Sequence, residues 1–182
     1  METLIIELYK YFSQFVPKDV LNKMFIQPAV TQNLGYEEIK AEILAKDDTV
    51  RFPEIDVFVL SINEKYVEQR MKDANNFVLF VEYGDVTLNP TIAKGTKQTL
   101  SVTVAHAFPQ NNNDNLNEVL IMNRCLSILN QIIEKMNADQ NNNNFCRNMD
   151  LIIFPAELQP LDPTVFFGRG GWSATFKNSI TN

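Results

Sequence analysis

The chain has 182 residues, 45% hydrophobic and 21% charged, a composition that fits one folded domain with a sizeable core and argues against wholesale disorder. Its formal net charge of −6 comes with 16 scattered basic residues, which argues against a protein built to grip nucleic acid, because neutralising phosphates takes clustered Lys and Arg. Cys125 and Cys146 stand on either side of an asparagine-rich break and suggest no disulfide framework.

The N-terminal stretch METLIIELYKYF carries Glu2 and Glu7 among its apolar residues, without a basic leader region. No apolar run approaches the roughly 18 residues that a membrane span needs. The expectation is a soluble protein made in the cytoplasm, with reduced thiols and no membrane partner.

In chain order, Leu4, Leu8, Phe12, Phe15 and Val16 recur at helical spacing and predict an amphipathic helix over 2–16, broken by Pro17. A short further helix is expected from Asp19 to Phe25, with Pro28 ending it. EEIKAEILAKDD contains helix formers, and EIDVFVLSI, from Glu54 to Ile62, is rich in β-branched and aromatic residues and reads as a strand. A helix is predicted from Asn63 to Ala74, with Asn63 as its N-cap. NFVLFVEYGDVTL and TKQTLSVTVAHAF read as an antiparallel pair, joined by a loop carrying Asn89, Pro90 and Gly95.

The strongest periodicity runs from Leu116 to Met136, where Leu116, Val119, Leu120, Met122, Leu126, Leu129, Ile132, Ile133 and Met136 form the apolar stripe of a long helix packed on a sheet. Asn115, three residues before Glu118, is its expected N-cap in a capping-box variant. Asparagine occurs twenty-one times and concentrates on either side of this helix, predicting loops at 110–115 and 137–144. DLIIF, from Asp150 to Phe154, reads as a short buried strand, and PAELQPLDP as a proline-punctuated connector.

FFGRGGWSATF, Phe166 to Phe176, contains the only glycine cluster and the only tryptophan. As a dinucleotide fingerprint it matches at Gly168 and Gly170 but has Ser173 at the third position, and no helix fits after it. As a nucleophile elbow it has Gly171 and Ser173 but Thr175 where a second glycine belongs, and the single histidine, His106, precedes the serine. AKGTKQT, near Gly95, lacks the Gly-Lys pair of a phosphate-binding loop. One histidine and two distant cysteines make no zinc site; Glu54 and Asp56, with Asp47 and Asp48 before them, are the remaining oxygen ligands for a hard cation, and solvated carboxylates are the simpler reading. His106 shares a strand face with Leu100, Val102 and Val104, which fits a partly buried structural histidine.

The remaining reading of FFGRGGWSATF is a C-terminal β-hairpin. TVFF and GWSATFK are its strands, the glycines supply positive φ, and Arg169 stands at the tip. Trp172, Ala174 and Phe176 then share one face, against either the core or a neighbouring subunit. The predicted fold is a single α+β domain over 1–182: a mostly antiparallel sheet packed against one long helix, about 116–136, plus the N-terminal helix and the terminal hairpin.

This order of elements, LIIELYKYF, then FVLFVEYGDV and LSVTVAHAF, then LNEVLIMNRCLSILNQIIEKM and finally GWSATFK, resembles the tail-terminator and tail-completion proteins of tailed bacteriophages. The resemblance covers most of the chain in element order and includes no diagnostic motif; the region from Gly35 to Ile62 is longer than the family pattern suggests. It implies a virion protein without enzymatic activity, cofactor or metal. Such a subunit forms a closed homo-oligomeric ring at the head-to-tail junction and docks on other connector or tail proteins, while DNA passes through the lumen without sequence-specific binding. Expected contact residues are Phe166, Phe167, Arg169, Trp172 and Phe176 in the hairpin and Asp85, Asn89 and Lys94 in the loop from Gly84 to Gly95. Two alternatives stay open: a small cytoplasmic enzyme or nucleotide-binding protein using His106, Cys125 or Ser173, and a small interaction module of a mobile element.

Overall fold

The structure, a computed structural model, describes residues 2–25, 35–46, 51–61, 68, 70–72, 74–84, 99–108, 114–145 and 153–177. Helix α1 (Glu2–Phe12) passes into a single 3₁₀ turn, Ser13–Phe15. The predicted helix over 2–16 therefore tightens at its end, where the buried Ser13 hydroxyl donates to the Lys10 carbonyl at 2.9 Å and draws the last turn in. Leu4, Leu8, Phe12, Phe15 and Val16, the residues that set the helical spacing, are all buried. Helices α2 (Lys18–Met24) and α3 (Tyr36–Ala45) follow. The expected stop at Pro28 lies outside the described residues.

Strands β1 (Ile55–Ser61), β2 (Phe77–Tyr83), β3 (Thr99–Ala107), β4 (Glu157–Leu161) and β5 (Arg169–Lys177) form one sheet in the order β1-β2-β3-β5-β4. β1 and β2 are parallel and every other pair is antiparallel. Parallel neighbours need a crossover of a dozen or more residues, which is what separates Ser61 from Phe77. Glu68, Arg70 and Met71 are helical there, within the predicted 63–74 helix; Asn63, its expected cap, lies outside the described residues.

Register aligns Phe58, Leu79, Val104, Trp172 and Pro160 across the five strands, and beside them Leu60, Val81, Val102, Ala174 and Leu158. This face carries the main core. The long helix α4 (Asn115–Asn141, 27 residues, roughly 40 Å) packs on it against β3 and β5 through Cys125, Ile128, Leu129, Ile132, Ile133 and Met136. Helix α1 joins the same core. The Tyr11 hydroxyl donates to the buried Asp139 carboxylate at 2.9 Å, and the Tyr11 and Phe145 rings meet edge to face with centroids 4.6 Å apart.

Several expectations need correction. The cap of α4 is Asp114, whose carboxylate accepts from the Asn117 amide at 3.2 Å; Asn115 is already helical. A carboxylate at that end also meets the positive pole of the helix dipole, which a neutral amide does not. The predicted loop at 137–144 is largely helix, because α4 continues to Asn141, one turn beyond the apolar stripe. There Asp139 is held by Tyr11 and ion-paired with Lys135, which outweighs the weak helix propensity of asparagine. Of the predicted loop at 110–115, residues 110–113 lie outside the described residues.

The terminal hairpin exists with a different first strand. PAELQPLDP, expected as a connector, supplies β4, and TVFF lies in the turn, with Val165 exposed. Asp162 opens that turn by accepting from the Thr164 amide and hydroxyl, which hold its carboxyl below the usual range. Pro160 fits because β4 pairs with a strand on one side only, leaving its missing N–H without a ladder partner to lose. Ile153, in the predicted DLIIF strand, is buried, but neither it nor Phe154 is in a strand; residues 150–152 are outside the described set.

Candidate functional site

The residues proposed for chemistry do not come together. Sheet register puts His106 on the core face, opposite Phe77 and Gly170, and Ser173 on the other face, opposite Thr103. A base and a nucleophile on opposite sides of one sheet cannot share a proton. The His106 ring packs edge-on against Phe77 with centroids 4.8 Å apart, and its Nδ1 lies 2.7 Å from the Ala107 carbonyl oxygen as the donor. Ser173 accepts from the Thr103 hydroxyl at 2.8 Å. Cys125 is fully buried in α4, and burial pushes its thiol up to about 12, so it stays protonated and inert.

Glu54 and Asp56 are each engaged through one carboxylate oxygen. Glu54 is ion-paired with Arg124 of α4, whose Nε donates at 2.9 Å, and Asp56 accepts from the amides of Asn75 and Asn76. Asp47 and Asp48 lie outside the described residues. Among the described residues no cluster of three His, Cys, Asp or Glu could hold a metal ion, and no helix is long and apolar enough to cross a membrane.

The hairpin residues expected as contacts mostly face inward. Phe176 is buried in the main core, and Trp172 packs against that core while its indole N–H donates to the Met122 carbonyl at 3.1 Å. The face shared by Trp172, Ala174 and Phe176 thus meets its own core. Arg169 is not at a hairpin tip; it begins β5 and is buried. Phe166 and Phe167 lie in the turn but fold back over a second, smaller apolar cluster on the opposite sheet face, formed by Val59, Met71, Ala74, Val78 and Phe80. Asp85, Asn89 and Lys94 fall outside the described residues.

Exposed apolar surface lies elsewhere, at positions assigned from sequence to the core. Leu116, Val119 and Leu120, in the first turns of α4, are 67%, 54% and 58% exposed. They precede the point where Trp172 ties the helix to β5; beyond it Leu129, Ile132, Ile133 and Met136 of the stripe are buried, while Leu126 stays half-buried and Cys125 and Ile128 complete the packed face. A second apolar surface flanks the β4 edge. Phe154, Pro155, Ala156 and Leu158 face Ile133 of α4 across a cavity of about 310 Å³ rimmed by Asn130 and Glu134. Phe154 and Leu158 are themselves exposed. Helical spacing does not distinguish a residue that meets the sheet from one beyond it on the same stripe, so only the packed structure separates Leu120 from Leu129.

No family model, curated protein or solved structure matches this chain.

Proposed function

We propose that this protein is a ring-forming structural subunit of the head-to-tail connector or tail of a tailed bacteriophage, resembling tail terminators and acting by assembly rather than catalysis. The observation that carries the reading is the exposed Leu116, Val119 and Leu120 face of α4, a contiguous i, i+3, i+4 apolar patch of the kind that marks protein contacts. A closed ring needs two different complementary surfaces on each subunit, related by a rotation that closes. The helix end supplies one. The groove between α4 and the open β4 edge supplies the other. In this reading the net charge of −6 suits a wall past which DNA slides without adhering.

Native mass spectrometry of the purified chain, alone and with connector components, tests the reading. A single closed stoichiometry, visible as rings in negative-stain images, is expected. A chain that stays monomeric at high concentration in both conditions rejects it.

A further inference from the structure

Arg169 and Asp56 are charged residues with contacts on the same short stretch of chain. Arg169 is 5% exposed, and its Nη2 donates to the carbonyls of Met71 at 2.6 Å and Ala74 at 2.8 Å. Asp56 sits where the β1–β2 register slips between Ile55 and Val57, an irregularity that takes its side chain out of the regular alternation. Its Oδ2 accepts from the backbone amides of Asn75 at 3.0 Å and Asn76 at 2.9 Å. A cation therefore holds carbonyls at Met71 and Ala74, and an anion holds amides at Asn75 and Asn76, just before β2 begins at Phe77. The other ends of both groups, Arg169 Nη1 and Asp56 Oδ1, are buried without a hydrogen-bond partner. Burial lowers the Arg169 pKa, and the charge of Asp56 opposes that drop.

This stretch covers the smaller cluster, in which Met71 and Ala74 lie over Val59, Val78 and Phe80. That cluster cannot merge with the main core, because the sheet separates them. Along its own face it extends little: the row Val59, Phe80 continues into the hydroxyls of Thr103 and Ser173 and then Gln159, and the row Val57, Val78 continues into the small Ala105 and Gly171. A small cluster isolated in this way gives its cover little cooperative support, and the polar contacts must supply the rest.

We infer that Arg169 and Asp56 form a two-ended latch that fastens the approach to β2 over the smaller cluster, and that this stretch opens as a unit separate from the main core. Opening lifts Met71 and Ala74 from Val59, Val78 and Phe80, while Phe166 and Phe167 stay packed on the same cluster. Arg169 and Asp56 are positioning residues for that segment.

Hydrogen exchange followed by mass spectrometry on the whole chain tests this. Arg169→Met removes both donors and keeps an apolar stem; Asp56→Asn keeps an acceptor and removes the charge. In each variant the peptide containing Asn75 and Asn76 is expected to exchange at least about tenfold faster, while peptides of β3 and of α4 around Ile128 to Met136 stay within about twofold of the parent. If Arg169→Met fails to fold, Asp56→Asn alone decides by the same criterion. Unchanged exchange at Asn75 and Asn76, or equal acceleration there and in the main core, overturns the inference.

Discussion

Gly168, Gly170 and Gly171 stand within four residues, and each is glycine for a different reason. Gly168 has φ of 72° and open space around its Cα, so a side chain meets only the backbone cost of the left-handed region. At Gly170 a Cβ would overlap the Phe108 ring, a side chain able to swing aside. At Gly171 it would overlap the Val104 carbonyl oxygen and lie 2.7 Å from the Ala105 Cα, which are main-chain atoms held in the sheet. The expected order of destabilisation in urea is therefore Gly171→Ala largest, about 3 kcal/mol, and Gly168→Ala near 1 kcal/mol, at about the scale of the αL penalty. Equal losses at Gly168 and Gly171 would contradict it. Cys125 makes a second residue-level prediction. With its thiol near 12, the thiolate fraction at pH 8 is about one part in ten thousand, so iodoacetamide should leave Cys125 unmodified in the folded chain and label it in denaturant. The folded value lies above the ordinary 9.0, so the stability this reflects is present below about pH 9 and is lost as pH rises toward 12. Labelling at similar rates in both states would show that the thiol is not buried as described.

Among the elements, α4 shows how local and tertiary signals divide the work. Its apolar period was legible from Leu116 to Met136, but both ends depend on particular contacts. Asp114→Ala removes the cap on the Asn117 amide and should cost about 1 kcal/mol. Tyr11→Phe takes a donor from the buried Asp139 and should cost about 1–2 kcal/mol. It should also loosen the last turn, which helical hydrogen exchange near residue 139 would register. A Tyr11→Phe protein as stable as the parent would mean that α4 reaches Asn141 without that anchor. The hairpin shows the opposite case. TVFF has strand-forming residues, yet Phe167, with φ of 52°, and Gly168 turn the chain there, and the weaker ELQPL becomes the strand because β5 has an open edge to fill. Strand formation depends on the partner offered as well as on intrinsic preference.

For the whole molecule, the two sheet faces have different fates. One is covered by α4 and α1, while the other is covered near β1 and β2 by the smaller cluster and becomes a row of hydroxyls, Ser101 with Thr175 and Thr103 with Ser173, toward β5. Among the described residues, exposed large apolar side chains group at the start of α4 and beside β4, with Ile5 and Val165 standing apart. Leu120→Glu tests the use of the first group: a residue 58% exposed should cost the isolated fold less than about 0.5 kcal/mol, while a charge in the proposed contact should weaken assembly at least about tenfold. Light scattering after size exclusion measures the second effect and urea unfolding the first. Assembly unchanged by the charge would remove the helix end from the interface.

Composition and periodicity were enough to determine an α+β domain with an N-terminal helix, a long central helix and a β2–β3 antiparallel pair, because buried faces impose spacing on the residues that make them. The glycine-rich stretch could also be excluded as a phosphate or nucleophile loop, since those sites require glycine at positions held by Ser173 and Thr175. Only the tertiary structure decided that Arg169 is buried over Met71 and Ala74, that Phe176 faces its own core, and that Leu116, Val119 and Leu120 do not. Those outcomes depend on where one element ends against another, and amphipathic spacing specifies which side of a helix or strand is apolar without specifying how far its partner extends.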